Sequence, residues 1–250
     1  MAKEAERTIA AVEAALQLLD LFEGAEPLRV ADIQSRTGLV RSRILRLLGT
    51  LEVCGYVVPA GRAAYALGPK AFRLGWAVRD SYAGMIAVLR PALERAVEAS
   101  GATAFFSIPR GRERVVIAKA VPPAGVRYVI EEGQTRQLHV GATGRVLMAY
   151  LPETQREEIL SGNLPALTAS TLTTVDVLRA EIARAREAGH AESLGEATSS
   201  AFAIAAPVLS AGRLVGALSL AGPIDEFQER RERCLTALKQ EVHFLSTRIA

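Results

Sequence analysis

Arg41, Ser42, Arg43 and Arg46 stand within six consecutive positions, and their chemistry suits a polyanion. A guanidinium is planar and always charged, and its fork of donors can engage two acceptors at once, on a phosphate or on the edge of a guanine. A serine beside such groups is small enough to let the backbone approach a phosphate oxygen. Further along, Arg62 follows a glycine in Pro59-Ala60-Gly61-Arg62, where a turn would present it to a phosphate or a minor groove. The competing reading of the first cluster is a solvated arginine face on an ordinary three-helix packing unit.

A second candidate lies at Gly141-Ala142-Thr143-Gly144-Arg145. Small residues at the start of a helix leave its amides open, and such an end can receive a carboxylate. Gly141, Ala142 and Thr143 would supply that end. A helix start that is merely closely packed is the alternative. The segment lacks the spacing and the Lys-Ser/Thr ending of a phosphate-binding Walker loop, and no serine sits in a nucleophile-elbow motif. His139, His190 and His243 are scattered without metal-ligand spacing. Glu131-Glu132 and Glu157-Glu158 are adjacent pairs of the kind found on turns and solvated helix faces. Cys54, among apolar residues, reads as a small buried hydrophobe, and Cys234 is far from it. Neither catalysis nor a cofactor nor a metal is expected.

The arginine cluster needs elements to position it. Ile9, Val12, Leu16, Leu19 and Phe22 recur at helical spacing and predict a first helix from Arg7 to Phe22, ended by Gly24 and Pro27. A short helix over Val30–Arg36, with Ala31 and Ile33 inward, leads into the tight turn Thr37-Gly38-Leu39. A third helix over Val40–Val53 carries Ile44, Leu47, Leu48 and Leu51 on one stripe and the arginines at its start. Strands Tyr56–Val58 and Ala64–Leu67 follow, joined by the turn that holds Arg62. Helix, turn, basic helix and hairpin together are the arrangement of a winged helix-turn-helix.

Beyond Gly68-Pro69 a helical stretch runs through Phe72, Leu74, Trp76 and Val78, and another covers Gly84–Ser100 with Ile86, Leu89, Leu93 and Val97 inward. The pattern then changes. Strands are expected at Ala104–Ile108, Val115–Val121, Arg127–Ile130, Phe202–Leu209 and Leu214–Leu220. Helices are expected at Gly141–Leu151, Pro152–Leu160, Val175–Ala188 and Glu226–Ile249. Interspersed in this order, they suggest an α+β sheet domain with helices packed outside it.

The whole chain sets the class. At 250 residues with half of them apolar, it has room for two globular units. The net charge of +3 says little as a total. Its distribution says more: Arg29, Arg36, Arg41, Arg43, Arg46, Arg62, Lys70, Arg73 and Arg79 face only Asp32 and Glu52 before Asp80, behind an acidic stretch over residues 4–26. Met1–Arg7 has no apolar core and does not read as a signal peptide. With no long apolar run and no cysteine framework, the expectation is a soluble, cytoplasmic protein with no membrane partner.

The residues resemble the IclR family of bacterial transcriptional regulators. The resemblance rests on Glu13–Leu19, Ala31-Asp32-Ile33, Thr37-Gly38-Leu39, Ser42, Arg46, Leu47, Leu48, Leu51, Gly55, Tyr56, Tyr65, Leu67, Gly68 and Leu74-Gly75. In the second half it rests on Gly141–Arg145, Leu172-Thr173, Leu178, Arg186–Ala191, Glu196, Ile204–Val208 and Ser219–Pro223. It implies a winged helix-turn-helix over residues 1–68, a linker helix over 69–84 that helps pair the DNA-binding domains, and a GAF-like effector-binding and oligomerisation domain over 85–250. The partners implied are double-stranded DNA with a pseudo-palindromic operator, a small organic effector, and further copies of the chain, as a dimer or a dimer of dimers.

The resemblance also places effector contacts at Ser193, Ala203, Ser219 and Ala221 alongside Gly141, Ala142 and Thr143. Ser193 stands where the family has an acidic residue, Ala203 where a cysteine is frequent, and Ser200 where a glycine is usual. The pocket is therefore expected to be less polar than in relatives that bind very small acids, which suits an aromatic or aliphatic acid. Ser42-Arg43 replaces the family's Ser-Thr pair, a change that bears on the operator sequence. A small-molecule enzyme or carrier with an N-terminal association domain is the alternative function.

Overall fold

The computed structural model describes residues 8–24, 26–125 and 128–249. The chain divides into two compact units with the boundary between Ser81 and Tyr82.

In the first unit, α1 (Ala10–Asp20) runs on into a single 3₁₀ turn (Leu21–Gly24), followed by β1 (Leu28–Arg29), α2 (Val30–Thr37), α3 (Arg41–Val53), β2 (Val57–Pro59), β3 (Ala64–Leu67) and α4 (Pro69–Ser81). The core is Leu18, Phe22, Leu28, Val30, Ile33, Ile44, Leu48, Leu51 and Val57. Burial of such side chains, each worth about 1.5–3 kcal/mol, is what holds three short helices that could not persist alone. Gly38, at φ +67°, ends α2 in the left-handed region and turns the chain into α3. At the start of α2 the Arg29 amide donates to Asp32 Oδ2 at 3.0 Å. The strand β1 pairs with the far side of β3, giving a three-stranded sheet in the order β1-β3-β2.

Several burial assignments differ from the sequence reading. Ile9, Val12 and Leu16 are exposed, and α1 instead buries Ala14 and Leu18. The helix carries two apolar stripes, and the core takes the one that continues through Phe22. In α2, Val30 rather than Ala31 accompanies Ile33 into the core. Cys54 is exposed, because it caps the end of α3 rather than lying on its buried stripe. The residues Met1–Arg7 lie outside those described.

The second unit begins with α5 (Ala83–Ser100), then β4 (Thr103–Arg110), β5 (Glu113–Ala120), β6 (Thr135–Gln137), α6 (Gly141–Tyr150), α7 (Glu153–Leu160), α8 (Val175–Ala188), β7 (Ala191–Leu194), β8 (Ala201–Ser210), β9 (Arg213–Pro223) and α9 (Phe227–Arg248). Among the described residues the strands make one sheet in the order β6-β5-β4-β9-β8-β7, with every pairing antiparallel. On one face Phe106, Ile108, Ile204, Val208, Leu218 and Leu220 pack against Leu89, Leu93 and Val97 of α5 and Leu238 and Leu245 of α9. On the other, Ala191, Ala205 and Ala217 are small enough to let α6 and α8 approach, through Val146, Leu147, Leu178 and Ile182. Tyr128–Ile130, expected as the end of a strand, forms none, and Arg127 lies outside the described residues. Instead this stretch folds over the sheet, its Tyr128 carbonyl accepting from Thr103 Oγ1 at 3.2 Å. The pairings of β6 and β7 add edge strands that the sequence did not announce.

Among the described residues no helix is long and apolar enough to cross a membrane.

Candidate nucleic-acid interface and effector site

The helix α3 divides its sides cleanly. Ile44, Leu48 and Leu51 are buried, whereas Arg41, Ser42, Arg43 and Arg46 are exposed. At about 100° of rotation per residue, Ser42, Arg43 and Arg46 fall within an arc of about 100° opposite the buried stripe. Arg41 projects elsewhere around the axis, at the first turn. Three of the four predicted contacts thus share a face, and the fourth lies apart from it.

The hairpin is fixed against the exit of α3 by backbone. The Gly68 amide donates to the Tyr56 carbonyl at 2.7 Å and the Lys70 amide to the Gly55 carbonyl at 3.2 Å. A Cβ at Gly68 would lie 2.4 Å from the Gly55 carbonyl oxygen, so only glycine permits this approach. Register Val57↔Leu67 and Pro59↔Tyr65 brings the chain to a tip where Gly61 and Ala63 have φ of +87° and +54°. Arg62 sits exposed between them. Helix and wing therefore present cations outward from one rigid unit.

In the second unit the predicted effector residues converge. Ser193 pairs with Ala203, Ala203 with Ala221 and Ala221 with Thr103, so these four lie in one row across four strands on the α6 face. The next row runs Ala191, Ala205, Ser219, Phe105 and Lys119. The start of α6 lies above them. Thr143 Oγ1 and Ser219 Oγ are 2.9 Å apart and buried. Gly141 has φ +75°, and a Cβ there would stand 3.5 Å from Ser193 Oγ. Gly144 is tighter still, its virtual Cβ falling 1.9 Å from the Leu138 carbonyl oxygen. Ala142 is fully buried.

Sequence reasoning overlooked the charges at this face. Arg145 is buried, and its Nη1 donates to both carboxylate oxygens of Glu196, at 2.8 and 2.7 Å, while Nη2 donates to the Glu192 carbonyl at 2.5 Å. Glu196 also accepts from the Gly141 amide at 3.3 Å, so a carboxylate of the chain itself caps the start of α6. Thr171 Oγ1 donates to the Glu196 carbonyl at 2.7 Å and holds that loop.

Arg114, on β5, is likewise buried. Its Nη1 donates to Ser107 Oγ at 3.2 Å, its guanidinium carbon stands 5.7 Å from the Phe105 ring centroid, and its Nε has no partner. Burial pushes its pKa down to about 10, which leaves it cationic near neutrality. Phe105, Val116, Ile130 and Ala221, with Tyr128 and Ala203 against them, form the apolar wall beside it. Lys119 Nζ donates to the Ile130 carbonyl at 2.7 Å and pairs with Glu131. A charge alone before an apolar stretch, as in Arg145-Val-Leu-Met, was the available signal for Arg145, whereas Arg114 follows Arg112-Glu113 and carried none.

Comparison with known proteins agrees with this layout. Residues 11–61 match the family described as IclR helix-turn-helix domain, and residues 81–247 match Bacterial transcriptional regulator IclR C-terminal. The HTH-type transcriptional regulator Rv1719 of Mycobacterium tuberculosis is 31% identical over 233 residues, covering 93% of this chain and 88% of the relative. The crystal structure of an IclR transcriptional regulator from Alicyclobacillus acidocaldarius superposes with a TM-score of 0.76 at 28% identity, covering 96% of this chain and 98% of that one. An IclR homolog from Microbacterium hydrocarbonoxydans, complexed with 4-hydroxybenzoate, has a TM-score of 0.75 at 22% identity over 95% and 98% of the two chains. At that identity the likeness is one of fold.

Proposed function

The chain belongs to the IclR family of bacterial transcriptional regulators and is a DNA-binding regulator rather than an enzyme, and we propose that α3 and its wing read a two-fold operator under the control of an organic acid held on the α6 face of the sheet. The observation that carries this reading is the division of α3 into a buried stripe and an exposed face of Ser42, Arg43 and Arg46. Arg43 and Arg46 reach base edges or phosphates in the major groove, Ser42 lies against a phosphate, and Arg41 and Arg62 contact the backbone on either side.

A two-fold operator requires two copies of the chain. The exposed apolar side chains of α4, Phe72, Leu74, Trp76 and Val78, suit self-association of the DNA-binding units as a dimer or a dimer of dimers. Acting on the chromosome, the protein works in the cytoplasm. The effector contacts are Gly141, Ala142, Thr143, Ser193, Ala203, Ser219 and Ala221. With alanine at 203 and 221, the floor is small and apolar, which favours an aromatic or aliphatic acid over a very small polar one. The 4-hydroxybenzoate in the Microbacterium homolog supports an acid of that size. Binding the acid more tightly in one arrangement of the chain than in another changes the affinity for DNA by linkage.

A mobility-shift titration against the DNA upstream of the chain's own gene tests the reading. Specific retardation at moderate salt, altered by an aromatic or aliphatic acid, is the expected result. No specific complex, with or without such acids, would overturn it.

A further inference from the structure

Within the proposed effector site one buried cation has no carboxylate partner among the described residues. Arg145 is matched by Glu196, which also occupies the Gly141 amide. The Thr143 and Ser219 hydroxyls are matched to each other. Arg114 is different. It is 3% exposed, no carboxylate among the described residues bonds to it, and its Nε is buried without a partner. The residue opposite it in register is another cation, Arg136, whose Nη1 donates to the Ala197 carbonyl at 3.1 Å. A buried guanidinium without a counter-charge is costly, and two cations side by side make the local potential positive.

The position of that charge matters as much as its presence. Arg114 lies over Phe105, and Phe105 is directly opposite Ser219, which holds Thr143. The strand of Phe105 lies between those of Arg114 and Ser219, so the guanidinium and the hydroxyl pair under the start of α6 flank Phe105 on one face of the sheet. Around it the surfaces are flat and apolar: the Phe105 and Tyr128 rings are stacked at 6.3 Å, with Val116 and Ile130 beside them and the alanines 203 and 221 behind.

Resting on the reading of this face as the effector site, we infer that the effector is an aromatic monocarboxylate whose carboxylate pairs with Arg114 rather than with the amides at the start of α6, its ring lying against Phe105 and Tyr128. Planar, bidentate recognition of a carboxylate is what a guanidinium does best, and desolvation under the Tyr128–Glu131 stretch strengthens the pair. A neutral ligand of the same shape would leave the arginine as it is and gain only the apolar contacts.

Calorimetric titration of the full chain with benzoate and with benzamide, its neutral isostere, tests this directly. Wild type is expected to bind benzoate at least tenfold more tightly than benzamide. In Arg114→Gln the ratio should fall to about one, and Arg114→Lys should keep part of it, whereas a merely structural role would weaken both ligands alike. Equal affinities in wild type, a comparison that needs no variant to fold, would overturn the inference while leaving control by an acid in place. Discrimination retained in Arg114→Gln would also overturn it. Binding of benzoate and benzamide by neither protein, with specific DNA binding intact, would refute the aromatic acid but not the DNA-binding reading.

Discussion

Arg145 and Glu196, from helix α6 and the loop after β7, meet in a buried ion pair whose two side chains are 2% and 8% exposed. One nitrogen serves both carboxylate oxygens, and the same carboxylate reaches the Gly141 amide. The pair thus ties the loop that carries Ala197 to the helix whose start lies at the proposed effector site. Losing one partner strands the other charge in a low-dielectric interior. Glu196→Ala should therefore cost about 3–5 kcal/mol in urea unfolding, and Glu196→Gln, which keeps an acceptor, distinctly less. A loss under about 1 kcal/mol for the alanine variant would show that the pair does not hold this loop.

Elements bounded by strong punctuation were legible to the residue. Val175–Ala188 ends at Gly189, and Ala64–Leu67 leads to Gly68. The edge strands β6 and β7 were not, since Thr135-Arg136-Gln137 and Ala191-Glu192-Ser193-Leu194 are defined by backbone pairing rather than by apolar alternation. Along α1 and the residue before it, Ile9, Val12 and Leu16 match helical spacing as well as Ala14 and Leu18 do, and periodicity cannot say which stripe meets the core. At the candidate site, the small residues of α6 and the sheet were readable. Arg114 was not, because a strand arginine beside a glutamate normally lies in solvent.

Gly144 and Gly49 should respond oppositely to the same change. At Gly144 an added Cβ would overlap the Leu138 carbonyl, and Gly144→Ala is expected to cost at least about 1–3 kcal/mol. At Gly49, within α3, nothing lies within 4 Å, so Gly49→Ala should gain up to about 1 kcal/mol from helix propensity. Thermal unfolding of the two variants checks the pair, and equal effects would contradict the close packing of α6 on Leu138.

His139 predicts a pH dependence. It is buried, with Nε2 placed to donate to the Pro165 carbonyl at 3.0 Å, and burial holds its pKa below the ordinary 6.5. A folded-state pKa below the unfolded value means that the unfolded chain takes up the proton more readily. This contribution is complete above about pH 6.5 and is lost as pH falls from there toward the depressed value. His139→Gln, which can keep the donor, should flatten stability between about pH 7 and pH 5 relative to wild type. Parallel profiles would sink the assignment.

On the proposed reading, the arginines of α3 and the wing separate by what they would touch. Arg43→Ala or Arg46→Ala should weaken operator binding by about 1–3 kcal/mol where the guanidinium bonds a base edge, with relaxed discrimination at that base pair. Arg41→Ala and Arg62→Ala should weaken all sequences alike and reduce the salt slope by about one each. Changes at Ser219 or Ala203 should leave the DNA affinity in the absence of effector untouched. Fluorescence anisotropy with specific and scrambled duplexes at several salt concentrations distinguishes these outcomes, and normal binding by Arg43→Ala and Arg46→Ala together would mean that α3 does not read the operator.

The proposed control of DNA binding by the effector is tested by one titration. The affinity for a fluorescent operator duplex is measured with and without saturating benzoate, on wild type and on Arg114→Gln. A change of about fivefold or more for wild type, absent in the variant, is the predicted result, in keeping with ordinary allosteric coupling. Identical operator affinity for wild type in both conditions, with benzoate demonstrably bound, would contradict it.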